Sequence, residues 1–154
     1  ELLTGGFWSV YYYQGAIYGT EIARGLDVLK LLPSEFLSAN EIAAAALAYP
    51  AMGPSKLFNP QQQIPMAWPD MPIVASAYVD QFERAKAISS VTADNVRQLL
   101  SQLAGLIKAN KSSEVGEVVS SIKKEMKNVT ADQTAVDRFQ RTLEGIASQS
   151  LASN

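Results

Sequence analysis

The chain has no cysteine and no histidine. Together these absences remove the thiolate nucleophile, the imidazole general base, the Ser-His pair, zinc sites of the usual nitrogen and sulfur kind, and a haem held by His. No cofactor and no metal site is expected, and the spaced Asp and Asn ligands of a calcium loop are missing as well. Long apolar runs are also lacking. The longest, Ile42 to Tyr49, is mostly alanine and falls well short of the roughly 18 residues of a membrane span. Basic charge is not in excess: 13 Lys and Arg stand against 15 Asp and Glu, for a net charge of -2. That excludes a general nucleic-acid binder, which needs a basic surface to neutralise phosphates. The lack of cysteine is compatible with an envelope or extracellular bacterial protein and equally with many cytosolic ones.

What is present points to a globular chain. Its 154 residues are 47% hydrophobic, enough for one good core, and match one ordinary domain or two small ones. Charge is uneven: residues 1 to 80 hold three basic and seven acidic side chains (net -4), and residues 81 to 154 hold ten and eight (net +2). Two parts with different surfaces are expected. The chain opens on Glu1 rather than Met, so a processed product or a piece of something longer is expected.

Residues 1 to 32 form the first expected region, a small antiparallel β-meander. Phe7 to Leu31 are rich in Tyr, Ile, Val and Leu and are punctuated by Gly15, Gly19 and Gly25. Three strands are predicted, Trp8 to Gln14, Ala16 to Ile22 and Leu26 to Leu31. Gly15 supplies the first turn, and Ala23 to Gly25 the second, with Gly25 in a left-handed position. Strict alternation would send Trp8, Val10 and Tyr12 to one face and Phe7, Tyr11 and Tyr13 to the other. Such a strand is apolar on both sides and expects cover on both.

Residues 33 to 49 are expected to be a short helical segment. Pro33, Ser34 and Glu35 read as a helical first turn, and Ser38 with Glu41 forms a capping box ahead of a helix from Ala39 to Ala48. Residues 50 to 70 read as an extended connector, since six prolines fall between Pro50 and Pro72. Its Leu57, Phe58, Ile64, Met66 and Trp68 suggest a segment lying against a surface.

From residue 71 to 154 the pattern is a four-helix, up-and-down bundle, so the fold class is mainly α with a small N-terminal antiparallel β-meander. Asp70 is placed as a cap and Pro72 in the first turn of a helix to Ile88, with Val74, Tyr78, Phe82, Ala85 and Ile88 as its stripe. Thr92 is expected to cap the next helix, with Val96, Leu99, Leu100, Leu103, Leu106 and Ile107. Ser112 or Ser113 opens a third, carrying Val115, Val118, Val119, Ile122 and Met126. Thr130 with Gln133 reads as a second capping box, ahead of Val136, Phe139, Leu143 and Ile146. Short connectors make sequential helices antiparallel.

The block Thr4 to Leu31, TGGFWSVYYYQGAIYGTEIARGLDVLKL, resembles the last repeat of the bacterial proteins with LVIVD repeats. The likeness continues through Pro33 to Leu37 and Asn40 to Ile42, thinly through Phe58 to Pro60 and Trp68 to Pro69, and poorly into the helical tail. Gly25 to Leu29 stands where the name-giving strand lies. Those proteins look like secreted or envelope-associated β-propellers, so the resemblance implies that the three strands are most of one blade and that the location is extracellular or periplasmic. It supplies no catalytic residue to transfer.

Phe7, Trp8, Tyr11, Tyr12, Tyr13 and Tyr18 are the candidate binding residues. Aromatic rings give large contact area at low entropic cost and suit a partner surface or a sugar. The competing reading is sheet core or packing between blades. Glu21, Arg24 and Asp27 read as a local ion pair at the second turn. Lys108, Lys111, Lys123, Lys124 and Lys127, interleaved with Glu114, Glu117 and Glu125, read as a solvated helix face. Asn128-Val129-Thr130 matches a glycosylation sequon. The function expected is a non-catalytic structural or interaction module, with a protein partner, itself or a larger complex, met by strand pairing or helix packing. The alternatives are a carbohydrate or small-ligand module and a hydrolase of unknown type.

Overall fold

Three strands lead the chain in the order in which they are joined: β1 (Phe7–Tyr13), β2 (Ala16–Glu21) and β3 (Gly25–Lys30), all antiparallel. The computed structural model describes residues 5–51 and 65–152 and divides into two compact units, Glu1–Trp68 and Pro69–Asn154. Gln14 and Gly15 both have positive φ (47° and 82°), which makes the first turn a two-residue hairpin whose twist matches its strands. Gln14 is thus a turn residue and not the end of β1. Gly25 takes the left-handed φ expected of it, 96°.

The second region differs from expectation in detail. Residues 33 to 37 form no helical turn. Ser34 closes a bend on itself instead, its Oγ accepting from the Phe36 N–H while its backbone exchanges bonds with Leu37. The capping box is present: Ser38 Oγ accepts from Glu41 N at 3.1 Å, and Glu41 Oε2 accepts from Ser38 N at 2.7 Å. Helix α1 is only Ala39–Ala45, shorter than the predicted reach to Ala48, because the chain tightens through Leu47 and Ala48 and Pro50 holds Tyr49 extended. Tyr49–Pro50 (β4) pairs antiparallel with Met66–Ala67 (β5), so both flanks of the proline-rich stretch are in regular structure rather than in a plain connector. Leu57, Phe58 and Ile64 lie outside the described residues.

The second unit is a four-helix bundle: α2 (Pro72–Arg84), α3 (Ser90–Lys108), α4 (Ser112–Glu125) and α5 (Gln133–Ala152). Contacts run from α2 to α3, α3 to α4, α4 to α5 and back from α5 to α2, which closes a ring around one core. Phe82, Leu100, Leu103, Ile122, Phe139, Leu143 and Ile146 are at its centre. The rings of Phe82 and Phe139 meet edge to face at 5.8 Å, and Tyr78 flanks both at 6.3 Å.

The helix ends are displaced from prediction for identifiable reasons. Helix α2 stops at Arg84, not Ile88, because Lys86 turns left-handed (φ 57°) and the Ala87 N–H returns to the Phe82 carbonyl at 2.8 Å. Asn110 does the same for α3, with φ 53° and a bond from Lys111 N to Leu106 O at 3.0 Å. Met71 rather than Asp70 is the N-cap of α2, and Pro72 holds the first helical position. Ser89, three residues before the predicted Thr92, caps α3 by accepting from Thr92 N at 3.1 Å. Helix α4 does open at Ser112, with Lys111 in the N-cap position and no side-chain cap. Asp132 accepts from Ala135 N at 3.2 Å at the start of α5. That frees Thr130, whose N–H and hydroxyl both donate to the Ala87 carbonyl at 3.2 Å and tie the α4–α5 loop to the α2–α3 loop.

Candidate functional site

The seven residues of β1 carry no charge, and the register with β2 decides where each ring goes. Tyr11 opposes Tyr18, Tyr12 opposes Ile17 and Tyr13 opposes Ala16, while Val10 opposes Gly19. Cross-strand partners share a face, so Tyr11, Tyr13 and Tyr18 stand on one side with Ser9, Thr20, Leu26 and Val28. Val10, Tyr12, Ile17 and Leu29 stand on the other. The Ser9 and Thr20 hydroxyls meet at 3.1 Å on the first face.

Phe7 is not where alternation puts it. An irregularity between Phe7 and Ser9 inserts one residue into β1, and the Phe7 ring swings over Gly19, on the Val10 face. A Cβ on Gly19 would lie 2.5 Å from Phe7 Cε1. The glycine is therefore the floor that lets the ring lie against the strand.

Five of the six candidate aromatics are exposed: Phe7, Trp8 (78%), Tyr11 (66%), Tyr12 and Tyr13 (62%). Tyr18, on the central strand, is half-buried. Val10, Leu26, Val28 and Leu29 are exposed beside them. The structure thus collects the candidates on one small sheet but on its two opposite faces, Tyr11, Tyr13 and Tyr18 on one and Phe7 and Tyr12 on the other, with Trp8 the inserted residue.

Glu21 is the polar anchor of this sheet. It is 6% exposed, and its carboxylate accepts from the backbone N–H of Gly6 at 3.0 Å, Ala23 at 2.8 Å and Arg24 at 2.6 Å. The Gly6 bond, with those of Arg24 and Ala23, holds its carboxyl below the ordinary glutamate value of 4.5 against the opposing effect of burial. Arg24 pairs with Asp27 at 2.7 Å. The expected ion pair is present, but Glu21 works chiefly as a backbone acceptor that joins the start of β1 to the second turn.

Three features of the bundle escaped the sequence. Arg97 of α3 donates to Asp80 at 2.7 Å and to Glu83, both on α2, and to Asp94 at 3.0 Å. Its bond to Glu83 is the main reason that carboxyl is held below its ordinary value. Asp70 lies on the backbone of Gly145 in α5, where a Cβ would fall 2.0 Å from Asp70 Oδ2. Burial raises the Asp70 carboxyl above its ordinary value. Third, Asp70 borders an apolar pocket of about 340 Å³ at one end of the bundle, with Pro72, Ile107, Asn110, Val115 and Ile146, and no basic side chain lines it. The lysine face is solvated as expected, with Lys123 paired to Glu144 at 2.8 Å and Lys111 to Glu114 at 3.3 Å.

Among the described residues no helix is long and apolar enough to cross a membrane. In comparison with known proteins, no family model, no curated protein and no solved structure matches the chain.

Proposed function

We propose that this chain is a non-catalytic interaction module of an exported bacterial protein, assembling with itself or a larger complex through the β-meander. One observation carries the reading: a neutral, aromatic edge strand in a three-stranded sheet whose two faces both leave large apolar side chains exposed. A meander of this size is at the lower limit of stability in water, and contact with another surface stabilises such a sheet. The bundle, by contrast, closes its own core and serves as spacer or assembly body. The resemblance of Thr4 to Leu31 to the last LVIVD repeat supports the same reading, since blade strands normally lie against neighbours, and it is the ground for an extracellular or periplasmic location.

Light scattering on the whole chain, beside a Trp8→Ser, Tyr11→Ser, Tyr13→Ser variant, tests it. Assembly lost in the variant with its circular dichroism unchanged is the expected result. Identical masses for the two proteins, alone and with candidate partners, would remove the meander from the role.

A carbohydrate-binding reading has a specific observation in its favour. Tyr11, Tyr13 and Tyr18 share a face with the Ser9 and Thr20 hydroxyls, which combines stacking rings with hydrogen-bonding groups. Titrating a glycan panel while following tyrosine and tryptophan fluorescence separates the two, because an interaction module gives no response.

A further inference from the structure

We infer that β1 is the assembly edge and that it pairs antiparallel with β1 of a second copy, about a two-fold axis at Tyr11. The inference rests on the assembly reading above and names its edge, partner and register.

The hairpin geometry says which backbone groups of β1 point away from β2. In a two-residue turn the flanking pair, here Tyr13 and Ala16, exchanges both of its hydrogen bonds, and bonded pairs then alternate along the ladder. Ser9, Tyr11 and Tyr13 therefore direct their N–H and C=O groups to β2, and Val10 and Tyr12 direct theirs outward. Beyond the inserted residue the ladder resumes with the Ile22 N–H bonded to the Gly6 carbonyl at 3.1 Å. The regular outer edge is thus Ser9 to Tyr13, five residues centred on Tyr11.

Two such edges are complementary to one another. With Tyr11 on the axis, Val10 of each copy meets Tyr12 of the other in a bonded pair, and each of these two pairs exchanges two N–H to C=O bonds. On the Val10 face this sets a β-branched residue against an aromatic one, and on the opposite face the two Tyr11 rings adjoin, both favoured cross-strand combinations. No like charges meet, because β1 has no charge at all. Natural edge strands are normally blunted by charge or proline. The outer strand on the other side, β3, carries Asp27 and Lys30 and is followed by Pro33; β1 has only its irregularity at Phe7 to Ser9, which ends the edge without blocking its middle.

The absence of native cysteine makes the test clean, since any disulfide in a single-cysteine variant of the whole chain joins two copies. Residues facing each other in a non-bonded antiparallel pair have Cα atoms about 4.5 Å apart, within the range a disulfide spans. Tyr11→Cys is expected to cross-link at least tenfold faster than Val10→Cys or Val28→Cys under mild oxidation. Val10→Pro removes an outward N–H, at the kind of edge position where proline is tolerated. It is expected to leave the circular dichroism intact and give a monomer by sedimentation. Faster cross-linking at Val10 or Val28 overturns the register or the edge. Dimers that survive Val10→Pro overturn the edge while leaving assembly itself standing. A wild-type chain that sediments at 16.7 kDa at every concentration, with no Tyr11→Cys product, overturns self-pairing altogether.

Discussion

Gly145 illustrates how one missing Cβ can be informative. Glycine inside a helix costs about 1 kcal/mol relative to alanine, yet α5 carries it where the Asp70 carboxylate rests on the backbone. Gly145→Ala is therefore expected to destabilise the bundle by displacing Asp70, whereas in an Asp70→Ala background the same change should stabilise by about 1 kcal/mol; urea denaturation of the four proteins measures both. The pH dependence of Asp70 follows from the direction of its shift. Its folded carboxyl titrates above the ordinary 3.8, so its burial is without penalty below that value and costs stability as pH rises through the folded value. Asp70→Asn should accordingly be more stable than wild type at neutral pH, with the gain vanishing below about 3.8. Glu83 has the opposite sign: depressed by Arg97, it contributes stability above 4.5 that is lost as pH falls through its lower folded value. Arg97→Met leaves the buried Asp80 without its guanidinium and is expected to cost about 2–4 kcal/mol, Arg97 being one-third exposed.

At the scale of elements, left-handed residues end two helices. Lys86 adopts φ 57° with a Cβ, a conformation that costs non-glycine residues about 1–2 kcal/mol. Lys86→Gly should raise stability by about 0.5–1 kcal/mol after the larger unfolded-state entropy of glycine is counted, and Asn110→Gly by less, since Asn tolerates this region better. Thermal melts of the two variants check the order. The helices themselves were legible because their apolar residues recur at three and four, as in Val96, Leu100 and Leu103, all buried. Their ends were less so. Ser89 and Thr92 are both good caps three residues apart, as are Thr130 and Asp132 two apart, and only the fold shows which one the backbone reaches. The strands were legible from composition and glycine spacing, but the face of Phe7 was not, because an inserted residue leaves no mark in an apolar run. The run of aromatics in β1 is plain in the sequence, whereas the Arg97 cluster is not, because its partners lie 14 and 17 residues away.

The whole molecule is two units with different needs. The bundle has a closed core, so Phe139→Ala, which empties the aromatic contact with Phe82 and Tyr78, is expected to cost about 3–5 kcal/mol in its helical unfolding transition. The meander unit has little comparable burial among its described residues, where Ala44 is the sole buried hydrophobic side chain; on the reading proposed above, association covers the rest. Pairing at the outer edge of the meander is tested most directly by residue-resolved amide hydrogen exchange on the intact chain, from dilute to concentrated solution. The amides of Ser9, Tyr11 and Tyr13 face β2 and provide an internal reference. Protection of the Val10 and Tyr12 amides that rises with concentration to match that reference is the predicted result. Rapid exchange of these two at every concentration, while the reference amides stay protected, would contradict it.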